Sequence, residues 1–120
     1  ITLLGLLELK NMFDLSQKLN TEILTKVMFT FSNDEILSPL SLPKDLLHNI
    51  IDEALAYIEP KATRKQRALI DVLKNLKTRE TFTATKKGKL RQLWLDKIRK
   101  QNIEDILQQD QRMLKWWKSI

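Results

Sequence analysis

The stretch PKDLLHNIIDEALAYIEP, residues 43–60, predicts a buried helix that ends at a proline. Its apolar side chains recur at intervals of three and four, which is the spacing of one helical face. Pro60 stops this helix, and Pro39 with Pro43 rules out a continuous helix before it. We expect it to be the best-defined helix of the core. Its inward residues are Leu46, Leu47, Ile50, Ile51, Ala54, Leu55 and Ile58.

Helical periodicity continues on both sides of this segment. Towards the N-terminus, a broad apolar stripe runs through residues 3–15, and a second helix is predicted within EILTKVMFTF, residues 22–31. Towards the C-terminus, TRKQ at residues 63–66 has the form of a capping box, which predicts a helix start. The helix that follows carries three leucines on its inward face, namely Leu69, Leu73 and Leu76.

The last third of the chain predicts a loop and two more helices. Residues 77–87 are rich in threonine, which competes for backbone hydrogen bonds and favours an irregular turn and loop. A helix is expected from about residue 89 to 100, with an apolar stripe at Leu90, Leu93, Trp94 and Ile98. Asn102 is expected to cap one final helix that places Trp117 in the core and Trp116 at its edge.

Composition favours a single all-α domain over residues 1–120, with N-terminal helices in 1–60. The chain has 120 residues, 42% of them hydrophobic, but only two glycines and three prolines. With no cysteine, disulfides, a thiolate nucleophile and iron–sulfur clusters are excluded. The longest apolar run, ITLLGLL, is much shorter than the roughly 20 residues that span a bilayer, so no membrane association is expected.

The charge is distributed unevenly along the chain. Residues 1–60 carry four lysines and nine acids, whereas residues 61–120 carry seventeen bases and six acids. The whole excess lies between Lys61 and Gln101, where fourteen bases face three acids. A field of this sign attracts acidic peptides or nucleic acid, and composition does not choose between them.

The sequence contains no recognisable catalytic or metal-binding motif. His48 is the single histidine, and KKGK at residues 86–89 lacks the spacing and the hydroxyl of a phosphate-binding loop. Neighbouring acids on a helix point in different directions and do not converge as a dyad. We therefore expect no enzymatic activity, cofactor or metal. The acid pairs are Asp34 with Glu35, Asp52 with Glu53, and Glu104 with Asp105.

Three functional hypotheses follow from these features. In the first hypothesis, the basic region with Trp94 is a nucleic-acid surface, in which lysines contact phosphates. Alternatively, it receives an acidic, hydrophobic peptide, with lysines steering the encounter and Leu93 and Trp94 holding an anchor side chain. The third hypothesis, an enzyme with an unrecognised site, has the least support in the residue inventory.

Four short motifs resemble the conserved core of the Interacts-with-Spt-six (Iws, or Spn) transcription factors, which ends in a TFIIS N-terminal, or LW-type, helical domain. YIEP resembles the family's aromatic-Leu-Glu-Pro, and ALIDVLKNL resembles its Ala-Leu-Leu-aliphatic helix. KKGKL resembles the turn with a Gly-basic pair, and MLKWWKSI resembles the closing Leu-x-x-x-Trp. The motifs occupy residues 57–60, 68–76, 86–90 and 113–120. The TFIIS and elongin branch, which shares this domain, is the alternative assignment.

The resemblance implies a right-handed, HEAT- or ARM-like superhelical bundle of about six to eight helices, with a TFIIS N-terminal-like portion at residues 61–120. It also implies a nuclear, non-catalytic, monomeric protein. Its partner would be an acidic, aromatic-containing N-terminal segment of the elongation factor and histone chaperone Spt-six, which links it indirectly to RNA polymerase II. Nucleic acid is the less favoured partner. The partner-binding residues implied are Gly88, Lys89, Leu93 and Trp94, with Lys86 and Leu90 beside them.

Overall fold

A computed structural model describes residues 3–20 and 38–120, and every regular element in these two ranges is a helix. The all-helical prediction is therefore confirmed for them, whereas the helix predicted at residues 22–31 lies outside the described residues. Three short 3-10 helices at Leu4–Glu8, Pro39–Ser41 and Arg64–Gln66 precede α1, α2 and α3. The α-helices are α1 (Leu9–Leu19), α2 (Lys44–Ile58), α3 (Arg67–Lys77), α4 (Lys86–Arg99), α5 (Ile103–Leu107) and α6 (Gln111–Lys118).

Helix α2 lies at the centre of the core, packed between α1 and α3. All of its predicted inward residues are buried except Leu46, which is partly buried against the core. On its outer side, Asp52 pairs with Lys77, and Glu59 at the C-cap of α2 pairs with Lys74, so two salt bridges join α2 and its cap to α3. Exposed pairs of this kind contribute little each, so burial of the apolar face supplies most of the stability.

The N-terminal segment buries a narrower stripe than its sequence predicts. Leu3, Leu6, Leu9 and Phe13 are buried, but Met12, Leu15 and Leu19 are exposed. Part of the attachment of α1 is instead polar. The Tyr57 hydroxyl donates to the Asp14 carboxylate at 2.8 Å, a bond that raises the pKa of Tyr57.

The 3-10 helix that leads directly into α3 begins at the capping box that the sequence predicts. The Thr63 hydroxyl accepts from the Lys65 N–H, and the Gln66 side chain accepts from the Thr63 N–H at 2.9 Å. The buried Gln66 amide also donates to the Ser16 hydroxyl at 3.0 Å, which ties this cap to α1. Leu69, Leu73 and Leu76 on the following helix are fully buried.

The single final helix predicted after Asn102 is two helices. Asn102 caps α5, but the chain turns after Leu107, and the Asp110 carboxylate accepts from the Arg112 and Met113 N–H groups to start α6. An N-cap of this strength stabilises a new helix start, which explains the break. The periodicity of the apolar residues continues through both helices, so the sequence pattern does not reveal the break between α5 and α6.

Both tryptophans of α6 lie in the core. Trp117 has no exposed surface and donates its indole N–H to Glu104 at 3.2 Å. Trp116, expected at the edge of the core, is 9% exposed, and its ring stands edge-on to Trp117 with centroids 6.4 Å apart.

Residues 80–85 form no helix and run beside the 3-10 helix that precedes α2, where the Phe82 N–H donates to the Leu40 carbonyl at 3.0 Å. Among the described helices, none is long and apolar enough to cross a bilayer.

Candidate partner-binding site

Helix α4 is fixed at both ends by local polar contacts. At its start, the Thr85 hydroxyl accepts from the Gly88 N–H at 3.0 Å, so the helix begins at Lys86, earlier than the sequence predicts. At its end, Lys100 adopts a left-handed conformation with φ of 56°. The Gln101 N–H then donates to the Asp96 carbonyl at 2.9 Å, which closes the turn into α5.

The side of α4 that faces the protein is polar. Gly88, Gln92 and Asp96 recur every four residues and are buried. The Gln92 amide donates to one Asp96 oxygen at 2.8 Å, and the Ile103 N–H donates to the other at 3.0 Å. Among the described residues, no buried side-chain polar atom lacks a hydrogen-bond partner, so this polar interface is satisfied.

The apolar stripe of α4 faces solvent instead. Leu90, Leu93, Trp94 and Ile98 are 58%, 38%, 62% and 59% exposed. A helix that turns its polar side inward and its large apolar side chains outward is the reverse of ordinary amphipathic packing. Contiguous exposed apolar surface of this kind marks interaction sites.

Bases are interleaved with these apolar residues, and no acid is present on the same face. The side chains of Lys86, Arg91 and Lys97 are exposed and make no ion pair or hydrogen bond with other described residues. We define the outer face of α4 as the four exposed apolar residues together with these three bases. Its residues are Lys86, Leu90, Arg91, Leu93, Trp94, Lys97 and Ile98.

Elsewhere, bases and acids pair across helices. In addition to the two α2–α3 salt bridges, Arg112 of α6 contacts Glu53 of α2 through two hydrogen bonds of 2.8 Å. Arg112 also pairs with Asp110. Burial raises the pKa of the Asp110 carboxyl, but hydrogen bonds and charge from Arg112 outweigh it and hold the pKa below its ordinary value. The acids of α2 thus neutralise bases of α3 and α6, and the outer face of α4 keeps its positive charge.

The structure places the predicted partner-binding residues on different sides of α4. Lys86, Leu90, Leu93 and Trp94 lie on the outer face, but Gly88 is buried in the first turn. Gly88 does not have a positive φ, so no left-handed turn requires glycine there.

Lys89 points towards α6. Its ammonium donates to the Trp117 carbonyl at 2.9 Å and lies 5.3 Å from the centre of the Trp117 ring. Lys89 is thus occupied by contacts within the protein.

Sequence reasoning did not assign Arg91, Lys97 or Ile98 to the site. Their spacing from Trp94 could have identified them, since all three are three or four residues away from it and therefore lie on the same side of the helix. In the described part of the chain, no group of three or more histidine and acidic side chains is placed to hold a metal ion.

Comparisons of the chain with protein-family models, with curated proteins and with solved structures find no match. The resemblance to the Iws family therefore rests on the four sequence motifs alone.

Proposed function

We propose that this protein is a helical interaction module whose outer face of α4 binds an acidic peptide with apolar anchor side chains. The observation that carries the proposal is the orientation of α4, which exposes four large apolar residues among three bases whose side chains have no partner in the described part of the chain. Apolar burial would hold the peptide, and the bases would steer it and select its charge. The site consists of Lys86, Leu90, Arg91, Leu93, Trp94, Lys97 and Ile98, without Gly88 and Lys89.

Helix geometry sets the size of the matching segment. From Leu90 to Ile98 the stripe rises by about 12 Å, because an α-helix advances 1.5 Å per residue. A partner would therefore present two or three apolar side chains within that length, flanked by acids. Trp94 lies at the centre of the face and is the natural energetic anchor, since exposed tryptophans that become buried dominate many interfaces.

Charge argues against self-association through the same face. Two copies meeting at α4 would bring Arg91 and Lys97 against their own counterparts, and like charges facing each other oppose docking. Nucleic acid would be attracted by these bases, but Leu90 and Ile98 would then have no apolar surface to bury against. An acidic, apolar peptide uses both features.

By the sequence resemblance, we further propose that the peptide is the acidic N-terminal segment of Spt-six. The protein would then be a nuclear elongation-factor core with a right-handed, HEAT-like arrangement that ends in a TFIIS N-terminal-like portion. It would couple this chaperone to elongating RNA polymerase II. The TFIIS and elongin branch, with peptides of other transcription factors, is the second candidate because it shares the closing tryptophan motif at residues 113–120.

Isothermal titration of the Spt-six segment tests this proposal. Leu93→Asp combined with Trp94→Ala should abolish binding while the helical circular dichroism spectrum is retained. Normal binding by that variant would place the site elsewhere. A parallel titration with short duplex DNA at two salt concentrations tests the other ligand class, since tight binding with a steep salt dependence would favour nucleic acid.

A further inference from the structure

A second apolar surface lies between the start of α2 and the outer side of α6. Pro43, Leu46 and Trp116 line it, with Arg112, Lys115 and Ser119 around it, and together they border an open, shallow groove of about 370 Å³. Past Trp116 it adjoins another groove, of about 340 Å³, lined by Phe82, Ala84 and Ile120 among others. The two grooves share Pro43, Trp116 and Ser119. We call the first of them the Trp116 groove.

The charges around this groove are basic. The side chain of Lys115 is exposed and makes no ion pair or hydrogen bond with other described residues, and the same holds for the side chain of Lys44, next to Pro43 in the chain. Arg112 is occupied by Glu53 and Asp110. No acid lines either groove among the described residues. A ligand in this groove would therefore bind more tightly if it carried negative charge beside an apolar side chain.

We infer that the Trp116 groove is a second docking site, which takes one aromatic or large aliphatic side chain from an acidic peptide segment. The groove is shallow and its lining is mainly apolar, so it can accept a single anchor side chain laid against Leu46 and Trp116. The rim lysines would contact the flanking acids. This inference rests on the groove and its charges, and it does not depend on the proposed use of α4.

A second copy of the chain is a poorer occupant. The outer face of α4 offers exposed apolar side chains, with Trp94 foremost, but its own bases would approach Lys115 and Lys44. That contact places like charges together and opposes docking. An acidic partner meets no such opposition.

The three tryptophans allow each surface to be read separately. In protein labelled with ¹⁵N at tryptophan, the indole signals report the outer face of α4 (Trp94), the groove (Trp116) and the core (Trp117). The probe is a short synthetic peptide of glutamates and aspartates around one phenylalanine, titrated into the full chain. A saturable shift of the Trp116 signal, lost when the phenylalanine is replaced by alanine, is the expected result.

A matched pair of charge reversals locates the site without altering the core. Lys115→Glu should weaken the Trp116 response at least about fivefold, because it places an acid against an acidic ligand. Lys118→Glu makes the same change in net charge on the same helix, at an exposed residue that does not line the groove. This variant should leave the Trp116 response unchanged.

Several outcomes would overturn the inference. A shift of Trp94 alone would assign the peptide to α4, and the absence of any shift would leave the groove without this ligand. Equal effects of Lys115→Glu and Lys118→Glu would show that the Trp116 response depends only on the net charge of the protein. If sedimentation showed dimers and the Trp116 signal moved with protein concentration, a second copy would be the occupant.

Discussion

The ammonium of Lys89 lies 2.9 Å from the carbonyl oxygen of Trp117 and donates a hydrogen bond to it, so the first turn of α4 is tied to the last turn of α6. The last carbonyls of a helix have no partner within the helix and carry partial negative charge. Here a lysine from a neighbouring helix donates to one of them, the Trp117 carbonyl, which also accepts from the Ile120 N–H at 3.3 Å. This contact also helps to set how α4 lies, with its apolar stripe turned outward.

Replacing Lys89 by methionine should therefore destabilise the fold rather than alter a binding surface. Loss of a charged hydrogen bond to a helix terminus typically lowers the free energy of unfolding by about 1 kcal/mol. Urea denaturation would measure the change. Lys86→Met is the matched control, because Lys86 is exposed without a partner among the described residues. Equal stability of the two variants would show that the contact contributes nothing.

Truncation of Trp117 in α6 should destabilise the fold strongly, whereas truncation of Trp94 in α4 should hardly change its stability. Trp117→Ala should cost about 3 to 5 kcal/mol, because it empties the space of a fully buried aromatic side chain. Trp94→Ala should change stability by less than about 0.5 kcal/mol, since its ring is 62% exposed. Thermal melts of the two variants distinguish these effects. A large loss of stability for Trp94→Ala would mean that the ring packs inward.

Asp110 should contribute stability both as a cap and as a charge. Asp110→Ala should cost about 1 to 2 kcal/mol near neutral pH, because it removes the acceptor for the first N–H groups of α6. Asp110→Asn should recover part of this loss, since asparagine is also a good N-cap. Chemical denaturation of the three proteins provides the comparison.

The charge of Asp110 predicts a pH dependence with a definite sign. Its pKa is lower in the folded protein than its ordinary value of 3.8, so the ionised form favours folding. That contribution is complete above the ordinary pKa and disappears as the pH falls through the lower folded value. The stability difference between wild type and Asp110→Asn should therefore narrow below about pH 4. A difference that widened on acidification would contradict this assignment.

Charge on α4 should govern binding of the acidic segment in a position-dependent way. Lys97→Glu on the outer face should weaken binding about tenfold or more, because like charges across an interface are strongly unfavourable. Arg99→Glu makes the same change two residues along the helix but on another side, so its effect should be several-fold smaller. Titration of both variants at two ionic strengths measures this. Indistinguishable affinities would indicate general attraction without a defined face.

Local signals in the sequence predicted much of this fold. The prolines around α2, the Thr63–Gln66 capping box and the leucine spacing of α3 act within a few residues, so they can be read without knowledge of the tertiary structure. The break before α6 was missed because its apolar period continues across the turn. Asp110, a good N-cap residue before an apolar run, was the available signal.

The orientation of α4 could not be predicted in the same way. Periodicity shows that Leu90, Trp94 and Ile98 share a face, but it does not show whether that face is buried. The answer depends on Gln92 and Asp96, whose hydrogen bonds make the opposite, polar face suitable for burial. Such contacts join helices that are separated along the chain and leave no periodic signal.

The indole signal of Trp94 during titration with the acidic Spt-six segment tests the central claim most directly. We expect it to shift saturably and to give the same dissociation constant as calorimetry, while the Trp117 signal in the core stays in place. Binding that leaves the Trp94 signal unmoved would contradict the assignment of the outer face of α4 as the partner-binding site.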